Sequence, residues 1–542
     1  MNAHGGQGRL PIFLLTAAFL FRGVFLAVGL PGGDPLDETF HFAYACFLAQ
    51  TGRVPGAGEP SIPAEFLRAL ASLPASFPGS QISWKTYSLL SGEQRQRLRR
   101  EAYEYRSTER RFFLDPNYET QQPPLFYAMA AQLLRLLPHA RFSTRLLAVR
   151  LLSVFLASAA VPLTYLFSRR LLPKRSALSA TAAYVAFPGI GSFVGRFTND
   201  ALALPIAAAL LFLFVEAARG RFSLSKAAAL AVLLAAGCWT KAYFLLLLPV
   251  APLAALMTGR GRRSGAWRRA LLASALAFLV FVPWMIHQRS QTGDWLGLFA
   301  SKQATALRVG MLDRVKTLPG LVTPRFAVVF GRTFLWPGTR SAMGAPAAVA
   351  VALTCTLLYL LAKPNLLGGG RSRRRQEAWR ATGVAVAVFL VGQLSYATTY
   401  AAVGMMRGHL PSAGPDGWYL LLLFPVVLCA GCAFGRGVPE RLFLLAVVLF
   451  LGAEWWMTFG VLPGVYGGRT AFNGSNAPLA AYGDYLLRPA EALRTYERVG
   501  LAGVPGYAPV VAFGLWLLLL ASGLFAASRR LLPAGPDTAG RA

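Results

Sequence analysis

Twelve apolar runs, with basic clusters in every second gap between them, constrain this chain more than any other feature. The runs lie roughly over 10–30, 146–168, 176–191, 200–218, 226–240, 242–258, 269–288, 345–362, 381–403, 417–435, 441–462 and 507–528. Each approaches the ~20 residues a helix needs to cross about 30 Å of hydrocarbon. One cluster is Arg169, Arg170, Lys174 and Arg175; the next are Arg219, Arg221 and Lys226, then Arg260, Arg262, Arg263, Arg268 and Arg269. Lys363 with Arg371, Arg373, Arg374, Arg375 and Arg380 follows, then Arg436 with Arg441, and last Arg529 with Arg530. The short gaps between hold isolated cations such as Arg196, Lys241 and Arg407. Lys and Arg accumulate in cytoplasmic loops, so the alternation predicts an all-α polytopic membrane protein of about twelve transmembrane helices, both termini cytoplasmic.

Composition agrees. The chain has 542 residues, 55% hydrophobic and only 14% charged, where a soluble domain carries about a quarter charged. That excludes an ordinary soluble enzyme and a disordered chain. The net charge of +31 would suggest nucleic acid in a soluble protein; here much of it is the orientation code. Five cysteines are too few for a disulfide framework in a chain this long. The Cys429–Cys432 pair sits in an apolar segment without a second pair or a nearby histidine, and reads as packing.

The predicted organisation runs from an N-terminal tail and first span (1–30) to an outer loop with juxtamembrane helices (31–145). A transmembrane core (146–288), an outer loop (289–344) and a C-terminal bundle (345–528) carrying an outer loop at 463–506 follow, and 529–542 reads as a disordered tail. Residues 124–137 are apolar but short for a span, and a crossing there would invert every later loop; they read as a re-entrant or juxtamembrane helix. Within the first long loop, Ser91 followed by Gln94 has capping-box spacing and predicts a surface helix from Gly92 to Ser107. Its arginines face anionic headgroups or solvent. Loops of this length tend to be functional.

Four polar constellations map to the outer face. The stretch G-G-D-P-L-D-E-T-F-H-F-A-Y-A (32–45) carries adjacent acids, Asp37 and Glu38, and on a helix Asp37, His41 and Tyr44 share a face. Capping by Asp34 or Asp37 is the competing reading. In N-Y-E-T-Q-Q-P-P-L-F-Y (117–127), Glu119 and Gln122 precede a Pro-Pro that can open a helix. In G-R-F-T-N-D-A-L-A (195–203), Asn199 and Asp200 immediately precede a span, again with an N-cap as competitor. C-W-T-K-A-Y (238–243) places Lys241 between apolar segments, where snorkelling would also explain it. Convergence of four distant sites on one face says more than any one of them.

With T-G-R-V-P and W-Y-L-L-L-L-F-P (418–425) added, these motifs resemble the GT-C superfamily of membrane glycosyltransferases, near the aminoarabinose-to-lipid-A transferases and the protein O-mannosyltransferases. The resemblance covers most of 10–260, with a weaker echo to about 430. It implies transfer of a sugar from a polyprenyl-phosphate carrier to a glycan, lipid or protein acceptor at the outer membrane face, with inversion. Asp37 would be general base, with Glu38 beside it. His41, Glu119, Gln122, Asn199 and Asp200 would shape the sugar or acceptor site, and Lys241 would bind the lipid phosphate. Tyr419 follows Trp418 where relatives often have Arg-Tyr, and Arg407 is then the candidate replacement cation. The resemblance fixes no cofactor, and the adjacent acids are oxygen donors that could hold a divalent cation.

Glu454, inside a predicted span, reads as a functional group or as a neutral acid bonded within the bundle. Between Asp294 and Gly344 a cationic loop containing Lys302, Arg308, Arg314, Lys316, Arg325, Arg332 and Arg340 would face an anionic ligand or headgroups. The competing functional class is a transporter or lipid flippase, which would place polar groups at the bilayer midplane and often show an inverted repeat. A non-catalytic assembly protein is a third.

Overall fold

The structure, a computed structural model, describes residues 9–528 apart from 36, 75–81, 105–111, 114–116, 298–309, 320–322, 336–350, 352–353, 356–372, 407–416, 434–438, 470–482, 484 and 502. The helices that matter below are α1 (Arg9–Gly29), α2 (Glu38–Thr51), α3 (Gly92–Tyr103), α4 (Leu125–Arg135), α5 (Phe142–Ser158), α6 (Asp200–Ala218), α7 (Leu224–Cys238), α8 (Ala266–Thr292), α9 (Met311–Thr317), α10 (Arg373–Met406), α11 (Pro439–Trp456) and α12 (Ala508–Ser528).

The described residues are all-α apart from a two-residue antiparallel ladder, Ile62–Pro63 against Phe112–Phe113. Among the described residues seven helices are long and apolar enough to cross a membrane: Arg9–Gly29, Phe142–Leu171, Asp200–Ala218, Ala266–Thr292, Arg374–Val403, Val448–Tyr466 and Ala508–Ala526. This is an integral, multi-pass membrane protein. Three more expected runs form shorter apolar helices, Leu224–Cys238, Ala242–Leu256 and Tyr419–Cys432. The run at 176–191 is divided at Phe187–Pro188 into helices Lys174–Ala186 and Pro188–Val194, because proline disfavours a helical residue before it. The run at 345–362 lies largely, and the tail at 529–542 wholly, outside the described residues.

The 124–137 segment forms α4, whose 11 residues reach only ~16 Å, too short for a span. The surface helix appears as α3, with Ser91 and Gln94 closing the capping box; it ends at Tyr103, and Arg106, Arg110 and Arg111 lie outside the described residues.

In lipid no hydrophobic drive holds one helix against another, so close packing and buried polar contacts must. Helix α1 packs along α12 and against α5. Arg22 of α1 bonds Glu454 of α11 at 2.6 Å and donates to the carbonyls of Val185, Phe187 and Pro188, the point where the 176–191 run breaks. Gly191 leaves room for the guanidinium, which a side chain there would strike. Glu454 is therefore bonded within the bundle, to an arginine on another helix. Cys429 packs with its thiol on Ser168 Oγ at 3.2 Å, in keeping with a packing role.

Candidate active site

Helix α2 begins at Asp37, which has φ 63°, the only non-glycine residue with positive φ among the described residues. A left-handed conformation at a non-glycine residue often marks a functional site. Asp37 occupies the N-cap position but its side chain makes no capping bond. The backbone carbonyl takes Phe40 and His41 N–H at 3.0 Å each, while the carboxylate Oδ1 accepts the Tyr118 hydroxyl. The side-chain capping reading thus fails at Asp37. It fails at Asp34 too, whose carboxylate takes the Tyr466 hydroxyl at 2.8 Å.

Glu38, next in sequence, points elsewhere. Its carboxylate receives Arg150 Nε at 2.7 Å and Nη2 at 2.6 Å, both side chains fully buried, and accepts the Phe197 N–H. The two neighbouring acids therefore do not share an oxygen cage for a cation. Among the described residues no group of three or more His, Cys, Asp or Glu is arranged to hold a metal ion.

The second constellation reaches α2 through a 3-10 turn, Tyr118–Gln121, capped by Asn117 Oδ1 on Glu119 N–H at 3.0 Å. Asn117 Nδ2 also donates to the Phe40 carbonyl, and that bond docks the turn on α2. Tyr118 then meets Asp37, and Glu119 meets His41, with Oε2 3.6 Å from Nδ1. His41 Nδ1 and the Tyr127 hydroxyl are 2.7 Å apart, and the Tyr44 and Tyr127 rings stack at 3.9 Å. His41 and Tyr44 thus share the helix face that spacing predicted.

Asp200 opens α6, and Lys241 follows α7 in extended conformation (φ −151°) before the 3-10 turn Ala242–Leu247. Lys241 Nζ donates to Asp200 Oδ1 at 2.6 Å and Tyr243 adds a hydroxyl at 3.2 Å. Asn199 also lacks a side-chain cap; its Nδ2 donates to the Thr240 carbonyl and lies 3.5 Å from Gln122 Oε1.

A cavity of about 820 Å³ joins these groups, lined by Asp37, His41, Glu119, Gln122, Asp200, Lys241 and Tyr419. Glu38 does not line it, Asn199 sits behind its wall, and Arg407 lies outside the described residues. Sequence reasoning missed that Arg196, inside the quoted R-F-T-N-D motif, lines the same cavity, as does Tyr118. Arg314 of α9 brings the cationic outer loop to the cavity.

Electrostatics separate the roles. Burial, then the nearby Asp37, pushes the Glu119 carboxyl up to about 8, against a lowering pull from Lys241. Burial, then Lys241 and Arg196, holds the His41 imidazole well below its usual range. At pH 7 both are therefore neutral, and among the described residues the other charged side chains that line the cavity are Arg196, Lys241, Arg314, Asp37 and Asp200. The cavity places cations and the Asp37 carboxylate on one lining, the pairing that attack on a phosphate-bearing carbon needs.

Fold and site together define a multi-pass membrane protein with a partly open, charged cavity among its helices. The family model described as dolichyl-phosphate-mannose-protein mannosyltransferase matches residues 121–287, the stretch carrying Gln122, Arg196, Asp200 and Lys241. That match bears out the resemblance to GT-C membrane glycosyltransferases. Among solved structures, the chain is similar to ArnT from Cupriavidus metallidurans bound to undecaprenyl phosphate (12% identity, 96% of this chain and 77% of that one, TM-score 0.46). It is also similar to the Archaeoglobus fulgidus oligosaccharyltransferase AglB in complex with an inhibitory peptide and a dolichol-phosphate (11% identity, 92% of this chain and 60% of that one, TM-score 0.42). No curated protein matches the sequence.

Proposed function

We propose that the protein transfers a sugar from a polyprenyl-phosphate carrier to an acceptor hydroxyl at the outer face of a bacterial cytoplasmic membrane, inverting the anomeric centre. The observation that carries this reading is that Asp37 and the Lys241–Asp200 pair line one cavity. The Asp37 carboxylate takes the proton of the acceptor hydroxyl as its oxygen attacks the anomeric carbon. The carbon–oxygen bond to the phosphate breaks, and the departing phosphate meets Lys241 with Arg196 and Arg314 nearby. Single displacement needs no second carboxylate nucleophile, consistent with Glu38 being committed to Arg150. Tyr118 holds the Asp37 carboxylate in place, Asp200 holds the lysine, and a neutral Glu119 adds no negative charge beside the phosphate.

The test is incubation of the purified protein with radiolabelled polyprenyl-phosphate sugars and a membrane extract, followed by identification of the labelled product. Label moving into a new product, and losing that movement with Asp37→Asn, supports the reading. Transfer undiminished in that variant would overturn Asp37 as base. The transporter alternative draws no support from Glu454, whose carboxylate is tied to Arg22 in the bundle.

A further inference from the structure

One wall of the cavity is uncharged. Helix α10 contributes Gln393, Ser395, Tyr396, Thr399 and Tyr400, which recur at three- and four-residue steps and so occupy one face of the helix. Such a polar face within a candidate membrane span is costly unless it meets polar partners. Thr399 satisfies itself, its hydroxyl donating to the Ser395 carbonyl at 2.8 Å. Gln393 does not. Its side-chain oxygen is buried and has no hydrogen-bond partner among the described residues, and the residue is only 7% exposed.

A buried polar atom without a partner is uncommon in native proteins and calls for an explanation. Leucine at this position would fill similar volume without that cost. The wall is continuous with the charged one through aromatic contacts, since Tyr419 meets both Tyr396 (centroids 6.2 Å) and Tyr243 (6.4 Å), and Tyr243 bonds Asp200. The neutral wall therefore adjoins the place assigned to the phosphate. A ligand spanning both would put an anion at Lys241 and an uncharged, hydroxyl-bearing group at α10.

We propose that Gln393, with Tyr396 beside it, forms a subsite for an uncharged polyhydroxylated ring, its amide oxygen accepting a ring hydroxyl. This deepens the glycosyl-transfer reading and rests on it. Two ligands carry that chemistry, the sugar on the phosphate carrier and a sugar-like acceptor, and both are separated in the test.

The experiment uses the full-length protein in nanodiscs, as wild type, Gln393→Leu and Gln393→Met. Binding is measured to bare undecaprenyl phosphate, to undecaprenyl-phosphate-linked mannose and to free mannose. Both variants should bind bare undecaprenyl phosphate as wild type does, bind the linked mannose about tenfold more weakly, and melt at the same or a higher temperature. Weakening confined to free mannose would place an acceptor rather than the donor sugar in the subsite. Unchanged affinity for all three, equal weakening for linked and bare phosphate, or a lowered melting temperature would overturn the subsite, the last by marking Gln393 as structural. If wild-type protein binds neither phosphate, the carrier reading itself fails and the subsite falls with it.

Discussion

Arg150 of α5 grips Glu38 at the start of α2 through two parallel hydrogen bonds of 2.7 and 2.6 Å, with both side chains shut off from solvent. The same guanidinium holds the carbonyls of Ala27, Leu30 and Pro31, so it fastens the end of α1, the turn after it and the start of α2. Removing one partner strands a buried charge, at a typical cost of about 3–5 kcal/mol. Glu38→Ala and Arg150→Ala should therefore lose activity by losing folded protein, seen as a reduced monodisperse peak in detergent. A Glu38→Ala variant that purifies and melts like wild type but fails to transfer sugar would instead make Glu38 part of the chemistry.

Asp37→Asn keeps a residue type that tolerates left-handed backbone while removing the proposed base. Transfer should fall about 10²- to 10⁴-fold with the melting temperature unchanged. Asp37→Ala should be less stable than Asp37→Asn, by roughly 1–2 kcal/mol, from the left-handed backbone alone. Thermal melts of the two variants side by side check the difference.

Lys241→Ala removes the cation nearest the proposed phosphate and leaves Asp200 without it. The apparent KM for a polyprenyl-phosphate sugar should rise about 10- to 100-fold, with the acceptor KM nearly unchanged. Steady-state kinetics with each substrate varied in turn decides this. Equal rises in both constants would assign Lys241 to holding the site together rather than to the carrier.

Glu119 makes the protein and its activity sensitive to pH in a defined direction. Its carboxyl is raised from 4.5 to about 8 by burial and then by Asp37, so between these values the folded state holds a proton that the unfolded state has released. Stability must then fall as pH rises from about 4.5 to 8 and level off above. Above pH 8 the Glu119 carboxylate adds a negative charge to the cavity lining, and transfer should decline. Glu119→Gln should flatten both the melting profile and the basic limb of the rate profile. An unchanged basic limb in that variant would assign it to another group.

The membrane architecture was legible because apolar length and basic alternation are one-dimensional signals. The candidate site was half legible. Asp37, His41, Glu119, Gln122, Asp200, Lys241 and Tyr419 were named from local patterns, and the cavity contains all seven. Adjacent acids look equivalent in sequence, yet Asp37 and Glu38 diverge because Asp37 sits in left-handed backbone before the helix while Glu38 is its first residue, and Arg150 meets Glu38. Arg150 and Arg22 were overlooked as cations inside apolar runs, where a lone charge should itself have demanded a buried partner. Gln393 offered no local signal. Its meaning depends on which helix face the cavity meets, and that is a property of packing.

The Arg22–Glu454 bond joins residues 432 positions apart, which has a consequence for how the chain is made. An arginine within a span costs about 2.5–3.5 kcal/mol to insert, and synthesis from the N-terminus delivers it long before its acid exists. The carbonyls at Val185, Phe187 and Pro188 emerge earlier and offer interim partners. The first helix should thus stay loosely seated, open to quality-control proteases, until α11 arrives to seal it. Chains truncated before 439 should expose α1 to proteolysis, and Glu454→Leu at full length should reproduce that exposure; full protection of both would show that the seal forms without the acid.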